Sequence, residues 1–185
     1  MLIHRFLYFY NQNTERMPAD FITTYFTEEK IESLFFIIIS IITIALALIF
    51  LFLIKYSFFK GMAIPLLAFG IIELSAGAIV LTQSAKDLTR IEQIIKNEPQ
   101  LIQSQELPKM EFIIKNFVIY KWIEIILIIT GVVLFIMFYK SSQTFWKGFG
   151  LGLLMQASIM LSLNILAQQR LQIYILQLIP NEYIF

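Results

Sequence analysis

The sequence predicts an all-α membrane protein, a four-transmembrane-helix bundle built as two tandem helical hairpins. An amphipathic extramembrane helical connection and a helical N-terminal tail complete the predicted fold. Three observations support it: 58% of the 185 residues are hydrophobic, the apolar residues are concentrated in four long runs, and the connections between the runs alternate between short and long. Only 15% of the residues are charged, whereas soluble domains have about 25%.

An amphipathic N-terminal tail is predicted at 1–30, and the first span at 31–54. Residues 34–54 have only Ser40 and Thr43 as polar interruptions, and about twenty apolar residues are enough to cross the hydrocarbon layer. Thr27 can cap a helix, and the acidic residues after it suit the positive end of a helix dipole. We therefore expect the first helix to begin near Thr27.

Three further spans are predicted at 61–82, 117–139 and 148–168. Each must be helical, because unpaired backbone groups are costly in lipid. The loops "KYSFFKG" and "YKSSQTFWKG" are short, basic and aromatic, without an acidic residue. They join the spans as two hairpins, and their aromatic residues suit the membrane interface.

The long connection, 83–116, carries charges of both signs and an amphipathic helical pattern. One apolar face recurs at helical spacing, formed by Leu88, Ile91, Ile94 and Ile95. Asn97 to Pro99 is predicted to end this helix, and Leu107-Pro108 to start another that continues into the third span. A C-terminal tail is predicted at 169–185, and the four-helix transmembrane domain as a whole at 31–168.

The two hairpins share a sequence register. An offset of 87 positions aligns Lys60-Gly61 with Lys147-Gly148, and Leu74-Ser75 with Leu161-Ser162. Chance matching between apolar segments is the alternative explanation. With two spans in each half, a true repeat would be parallel, with a pseudo-two-fold axis along the membrane normal.

Glu73, near the middle of the second span, is the first candidate functional residue. A charge at this depth costs about 2.5–3.5 kcal/mol on insertion scales, so such residues usually face the bundle interior and have a partner. Glu73 could serve a cation or proton path, or it could be a paired carboxylate that fixes helix register. The position aligned with it in the second hairpin is Met160, so the repeat does not require the acid.

Other intramembrane polar candidates lie on the third and fourth spans. Lys121 and Glu124 are one turn apart; they could form an interfacial ion pair or, with Glu73, a functional triad. The fourth span contributes amides and hydroxyls, which could be interhelical packing contacts or line a polar cleft with Glu73: Gln156, Ser158, Ser162 and Asn164.

Glycines are predicted to mark close helix contacts, because small residues allow two backbones to approach in a membrane. Gly148 and Gly152 form one G-x-x-x-G pair, and Gly70 and Gly77 are one heptad apart. The chain has no Cys and one His, so we expect no catalytic residue, no metal site and no cofactor. The net charge of +1 argues against nucleic acid as a partner.

Four short segments carry a family resemblance: Lys60 to Leu66, Met110-Glu111, Lys115 to Phe117 and Lys121 to Ile125. They resemble a family of small, largely uncharacterised bacterial proteins with four membrane spans. The resemblance covers about positions 31–170, and the tail at 1–30 departs from it. Some members are encoded near secreted-toxin genes, which implies immunity proteins; no catalytic residue carries over.

We therefore expect a non-enzymatic multi-pass protein of the bacterial inner membrane that binds another protein, most concretely a toxin. A membrane complex is the alternative to a toxin as the protein partner. Whether the chain also forms a homo-oligomer is left open by the sequence. The alternative function is a small oligomeric transporter or channel that uses Glu73. Both chain ends are expected on one side; basic residues nearly balance across the membrane, and the acids near 28–32 favour cytoplasmic short loops.

Overall fold

The computed structural model describes residues 19–98 and 101–178, which form four long helices and one π-helical turn. Helix α1 spans Ala19–Phe52 and α2 spans Ser57–Asn97. The π-helical turn, Ile102–Glu106, leads directly into α3, Leu107–Met137, and α4 spans Thr144–Leu178. All four helices are long and apolar enough to cross a membrane. The predicted all-α bundle of two hairpins is confirmed.

The helices pack in the order α1, α2, α4, α3. Each hairpin packs along its own length, and α2 packs against α4 to join the hairpins. The spanning parts of α2 and α4 are consequently more buried than those of α1 and α3. Large apolar side chains such as Phe35 and Ile126 are exposed, as expected for surfaces that face lipid.

The contact between α2 and α4 is reciprocal about the two aligned glycines. A methyl group on Gly61 would overlap the backbone carbonyl of Phe145, and one on Gly148 would overlap the backbone carbonyl of Phe58. Both pairs are related by the same offset of 87 positions that aligns the two hairpins. The repeat in the sequence is therefore a repeat in the packing, with a local two-fold relation at this crossing.

The helices are much longer than the membrane is thick. Helix α2 alone has 41 residues, which corresponds to about 60 Å at 1.5 Å per residue, against about 30 Å of hydrocarbon. Each helix therefore extends past its predicted span and continues into a segment that the sequence predicts as a separate tail or as the long connection. We call the end of the bundle that the sequence predicts to lie outside the membrane the head; it comprises 19–30, 83–98, 101–116 and 169–178.

The expected start of the first helix near Thr27 was wrong, because α1 begins at Ala19 and passes through Thr27. The capping pattern was overridden by packing, since Ile22, Tyr25 and Phe26 are buried in the head. Residues 1–18, 99–100 and 179–185 lie outside the described residues, so the structure covers only parts of the predicted tails.

The head has a hydrophobic core of its own, to which all four helices contribute. Its buried residues are Ile22, Tyr25, Phe26, Ile91, Ile102, Met110, Leu171, Tyr174 and Leu178. The predicted apolar face of the connection is confirmed, since Ile91 is fully buried and Leu88, Ile94 and Ile95 pack against the core. The predicted helix end at Asn97 and start at Leu107 are confirmed as well. The π-helical turn was not predicted.

We predict that Gly148→Ala destabilises the bundle, although Gly→Ala in a helix interior normally stabilises by about 1 kcal/mol. The added methyl group would force the α2 and α4 backbones apart, at a cost of about 1–3 kcal/mol. Thermal unfolding of the purified protein in mild detergent measures the effect.

Gly70→Ala is the matched control. There the nearest atom to an added methyl group is the Ile44 side chain at 3.0 Å, which can move more easily than backbone. A higher unfolding temperature for Gly148→Ala than for the wild type would contradict the crossing described above.

Candidate functional site

Buried polar side chains occur both in the membrane-spanning part of the bundle and in the head. In the spanning part, Glu73, Glu124, Gln156 and Asn164 are each less than a tenth exposed. Helix α4 supplies both amides, while α2 and α3 each supply one acid. These four sequence candidates therefore lie at helix interfaces rather than on the lipid-facing surface.

Glu73 and Gln156 form a hydrogen-bonded pair where α2 packs against α4. The Gln156 side-chain amide donates to the Glu73 carboxylate at 2.8 Å. Gln156 is fully buried and Glu73 is 3% exposed. The second carboxylate oxygen of Glu73, Oε1, is buried without a hydrogen-bond partner. The buried Ser40 hydroxyl of α1 is also close to Glu73. Glu73 thus has neutral polar neighbours and no counter-charge among the described ion pairs.

Glu124 and Asn164 form a second acid–amide pair where α3 packs against α4. Asn164 donates to the Glu124 carboxylate at 2.9 Å, and the same amide nitrogen reaches the backbone carbonyl of Phe117 at 3.3 Å. One amide therefore bridges a side chain and the backbone of the neighbouring helix. This pair fixes α3 against α4 at a defined depth.

The two amides allow α4 to form side-chain hydrogen bonds with both α2 and α3. Gln156 and Asn164 are eight residues apart, which is about 12 Å along the helix and about 80° around it. Gln156 therefore faces α2, and Asn164 faces α3 closer to the head. The two acids do not share a partner.

Lys121 and the two serines do not join these pairs. Lys121 lies 3.4 Å from the side-chain oxygen of Gln168, so it contacts α4 rather than Glu73 or Glu124. Ser158 and Ser162 donate to the backbone carbonyls of Leu154 and Ser158, four residues earlier on α4. The structure therefore brings together the acids and amides, and leaves the hydroxyls within their own helix.

The remaining predicted glycines lie at close contacts. Gly70 and Gly77 face α1, at Ile44 and Ile37 respectively, while Gly152 faces Met62 on α2. Gly77 and Asn164 are aligned by the 87-residue offset, and so are Ile37 and Glu124. An apolar glycine contact in the first hairpin thus corresponds to an acid–amide hydrogen bond in the second.

The head contains a group of ion pairs that the sequence did not predict. Glu106, in the π-helical turn, is fully buried and pairs with Arg90 of α2. Asp87 pairs with Lys109 at 2.8 Å and with Arg90 at 3.3 Å. These contacts tie the start of α3 to the end of α2. Only the Asp87–Arg90 contact has a sequence signal, its i,i+3 spacing; the others depend on the turn between the helices.

A second set of polar contacts ties α1 to α4 and α2 in the head and directly next to it. Arg170 pairs with Glu32 and lies 5.3 Å from the centre of the Tyr25 ring, which in turn stacks on Tyr174 at 4.0 Å. Ser84 donates to Glu29 at 2.8 Å. Burial raises the pKa of Glu29 above its usual range, while the Ser84 hydrogen bond acts in the opposite direction.

Among the described residues, the buried polar side chains form hydrogen bonds between helices. Among residues 19–98 and 101–178, no group of three His, Cys, Asp or Glu side chains could hold a metal. Two surface concavities, at residues 135–140 and 85–93, are each lined by neighbouring residues of one chain segment. Neither includes Glu73 or Glu124.

Comparisons with family models, with curated proteins and with solved structures found no match.

We predict that Gln156→Leu destabilises the protein by about 1–3 kcal/mol, because Glu73 would remain buried without its donor. Adding Glu73→Met, the residue at the aligned position in α4, should recover most of the loss, since an apolar pair leaves no unsatisfied group. The coupling between Glu73 and Gln156 is measured from the unfolding temperatures, in mild detergent, of Gln156→Leu, Glu73→Met and the double variant.

The control is Ser162→Ala, which removes a hydroxyl that bonds only within α4 and should change stability little. If the double variant is no more stable than Gln156→Leu, the pair is not coupled as the geometry indicates.

Proposed function

We propose that this chain is a non-enzymatic integral membrane protein that acts by binding another protein through its head. In its most concrete form it is a bacterial immunity protein that neutralises a secreted toxin. The observation that carries the proposal is the head itself, in which all four helices extend beyond the membrane around one apolar core. Spanning the bilayer alone would not require that extension.

The surface of the head suits recognition of a protein. Its exposed charged side chains are of both signs in equal number among the described residues, which favours a specific complementary partner over a uniformly charged one. These side chains are Glu28, Lys30, Lys86, Glu92, Lys96, Glu98, Glu111 and Lys115.

The interior of the head supports the same proposal. The fully buried Glu106 is paired with the partly exposed Arg90, so the surface rests on a folded support. A preorganised surface binds with less loss of conformational freedom than a disordered segment. A toxin or a component of a membrane complex could dock on it.

A small oligomeric transporter or channel is the second candidate. The observation that favours it is the unpartnered, buried Oε1 of Glu73, which could accept a proton or contact a cation. The hydrogen bond from Gln156 favours the other interpretation, a silent structural pair. Four spans are few for a pore in one chain, so this function requires several copies.

The immunity proposal predicts that deleting the gene makes cells sensitive to a toxin encoded beside it. The wild-type gene should restore protection. A variant with Glu92→Lys, Glu111→Lys, Lys96→Glu and Lys115→Glu keeps the net charge but should weaken docking by about 2 kcal/mol or more, roughly thirtyfold in affinity. Survival after toxin exposure, at matched protein levels in the membrane, is the measurement.

Lys55→Gln with Lys140→Gln, at the opposite end of the bundle, is the control and should retain protection. Full resistance of the deletion strain would refute immunity. Full protection by the head variant would refute docking at this surface.

For the transporter alternative, we expect Glu73→Gln to abolish proton-coupled or cation flux in protein reconstituted into vesicles. The amide keeps the shape of the side chain but cannot carry a proton or a negative charge. Unchanged flux with unchanged pH dependence would remove Glu73 from any transport mechanism.

A further inference from the structure

The end of the bundle opposite the head is a basic surface without acidic residues. It carries Lys55, Lys60, Lys140 and Lys147, and the sequence has no Asp or Glu between Glu32 and Glu73 or between Glu124 and Glu182. The ion pairs found in residues 19–98 and 101–178 do not involve these lysines. Within the part of the chain that the structure describes, these four positive charges therefore have no acidic partner.

The α2–α4 crossing gathers these charges into one surface. Gly61 and Gly148 hold the two helices in backbone contact, and each glycine directly follows a lysine of a short loop. The two loops, which are far apart in sequence, therefore lie side by side. Helices α2 and α4 both begin here and have no acidic residue in their first turns, so their dipoles add to the positive potential.

Aromatic side chains place this surface at the boundary between hydrocarbon and headgroups. Tyr56, Tyr139 and Trp146 are exposed, and such residues collect at the membrane interface. The Lys147 ammonium lies 5.4 Å from the centre of the Tyr139 ring. Lysines beside such a belt extend their charged ends to the level of lipid phosphates.

We propose that this surface, formed by Lys55, Lys60, Lys140 and Lys147 at the short-loop end, binds anionic phospholipids through their phosphate headgroups. The loops are too short to form a second extramembrane head, so the lysines stay at the depth of the lipids. One basic residue near a charged bilayer surface is worth about fivefold in affinity, so several together would enrich anionic lipid around α2 and α4. This inference goes beyond the proposed function, which uses the opposite end.

The test uses Trp146 as a reporter in the full chain. Trp122→Phe removes the other of the two tryptophans. The protein is reconstituted into vesicles of phosphatidylcholine containing a minor fraction of phosphatidylglycerol. In one preparation only the phosphatidylglycerol has brominated acyl chains, which quench tryptophan on contact, and in the other an equal amount of the phosphatidylcholine has them. We expect about fivefold more of the anionic lipid than of the neutral lipid at Trp146. This preference should become smaller as the ionic strength rises.

Replacing all four loop lysines by Gln should remove the preference. Lys55→Gln with Lys140→Gln, which leaves the crossing untouched, should reduce it partly and serves if the fourfold variant does not fold. The matched control replaces four exposed head lysines by Gln, Lys30, Lys86, Lys96 and Lys115, and should keep the preference. Three results would overturn the proposal. The first is equal quenching by both lipids in the protein with the loop lysines intact. The others are a preference that survives loss of the loop lysines, and a preference that the head control loses to the same extent.

Discussion

The backbone contact between α2 and α4 is the interaction on which the rest of the structure depends. Each hairpin already packs along its own length, so the join between hairpins decides whether they form one bundle. Gly61 and Gly148 make that join by letting each helix approach a carbonyl group of the other. In lipid, where apolar surfaces gain nothing by leaving water, such close van der Waals packing is a main source of helix association.

The crossing also determines where polar groups can lie. It places α2 and α4 at the centre, where Gln156 can meet Glu73, and leaves one side of α4 for α3, where Asn164 meets Glu124. At the far end, the same four helices pack around a core of their own and are tied together by ion pairs. The head and the basic short-loop end are therefore two different surfaces held in fixed relation by one contact.

Much of this architecture could be predicted from the sequence because apolar runs longer than about twenty residues have few alternatives in a membrane. The helix start near Thr27 could not, since burial of Ile22 and Tyr25 outweighed the capping pattern. Glu73 was recognised by its depth, but its partner was not, because the rotation of α4 decides between Gln156 and the serines. The Glu106–Arg90 pair depends on a π-helical turn that has no sequence signature.

Chemical cross-linking across the α2–α4 contact tests the central claim most directly. The chain contains no cysteine, so Lys60→Cys with Lys147→Cys gives a single reactive pair beside the crossing. We predict rapid intramolecular cross-linking by a short bismaleimide in native membranes. Leu53→Cys with Met137→Cys, next to the loop ends of α1 and α3, should not cross-link within one chain. The opposite pattern would contradict a bundle joined through its two central helices.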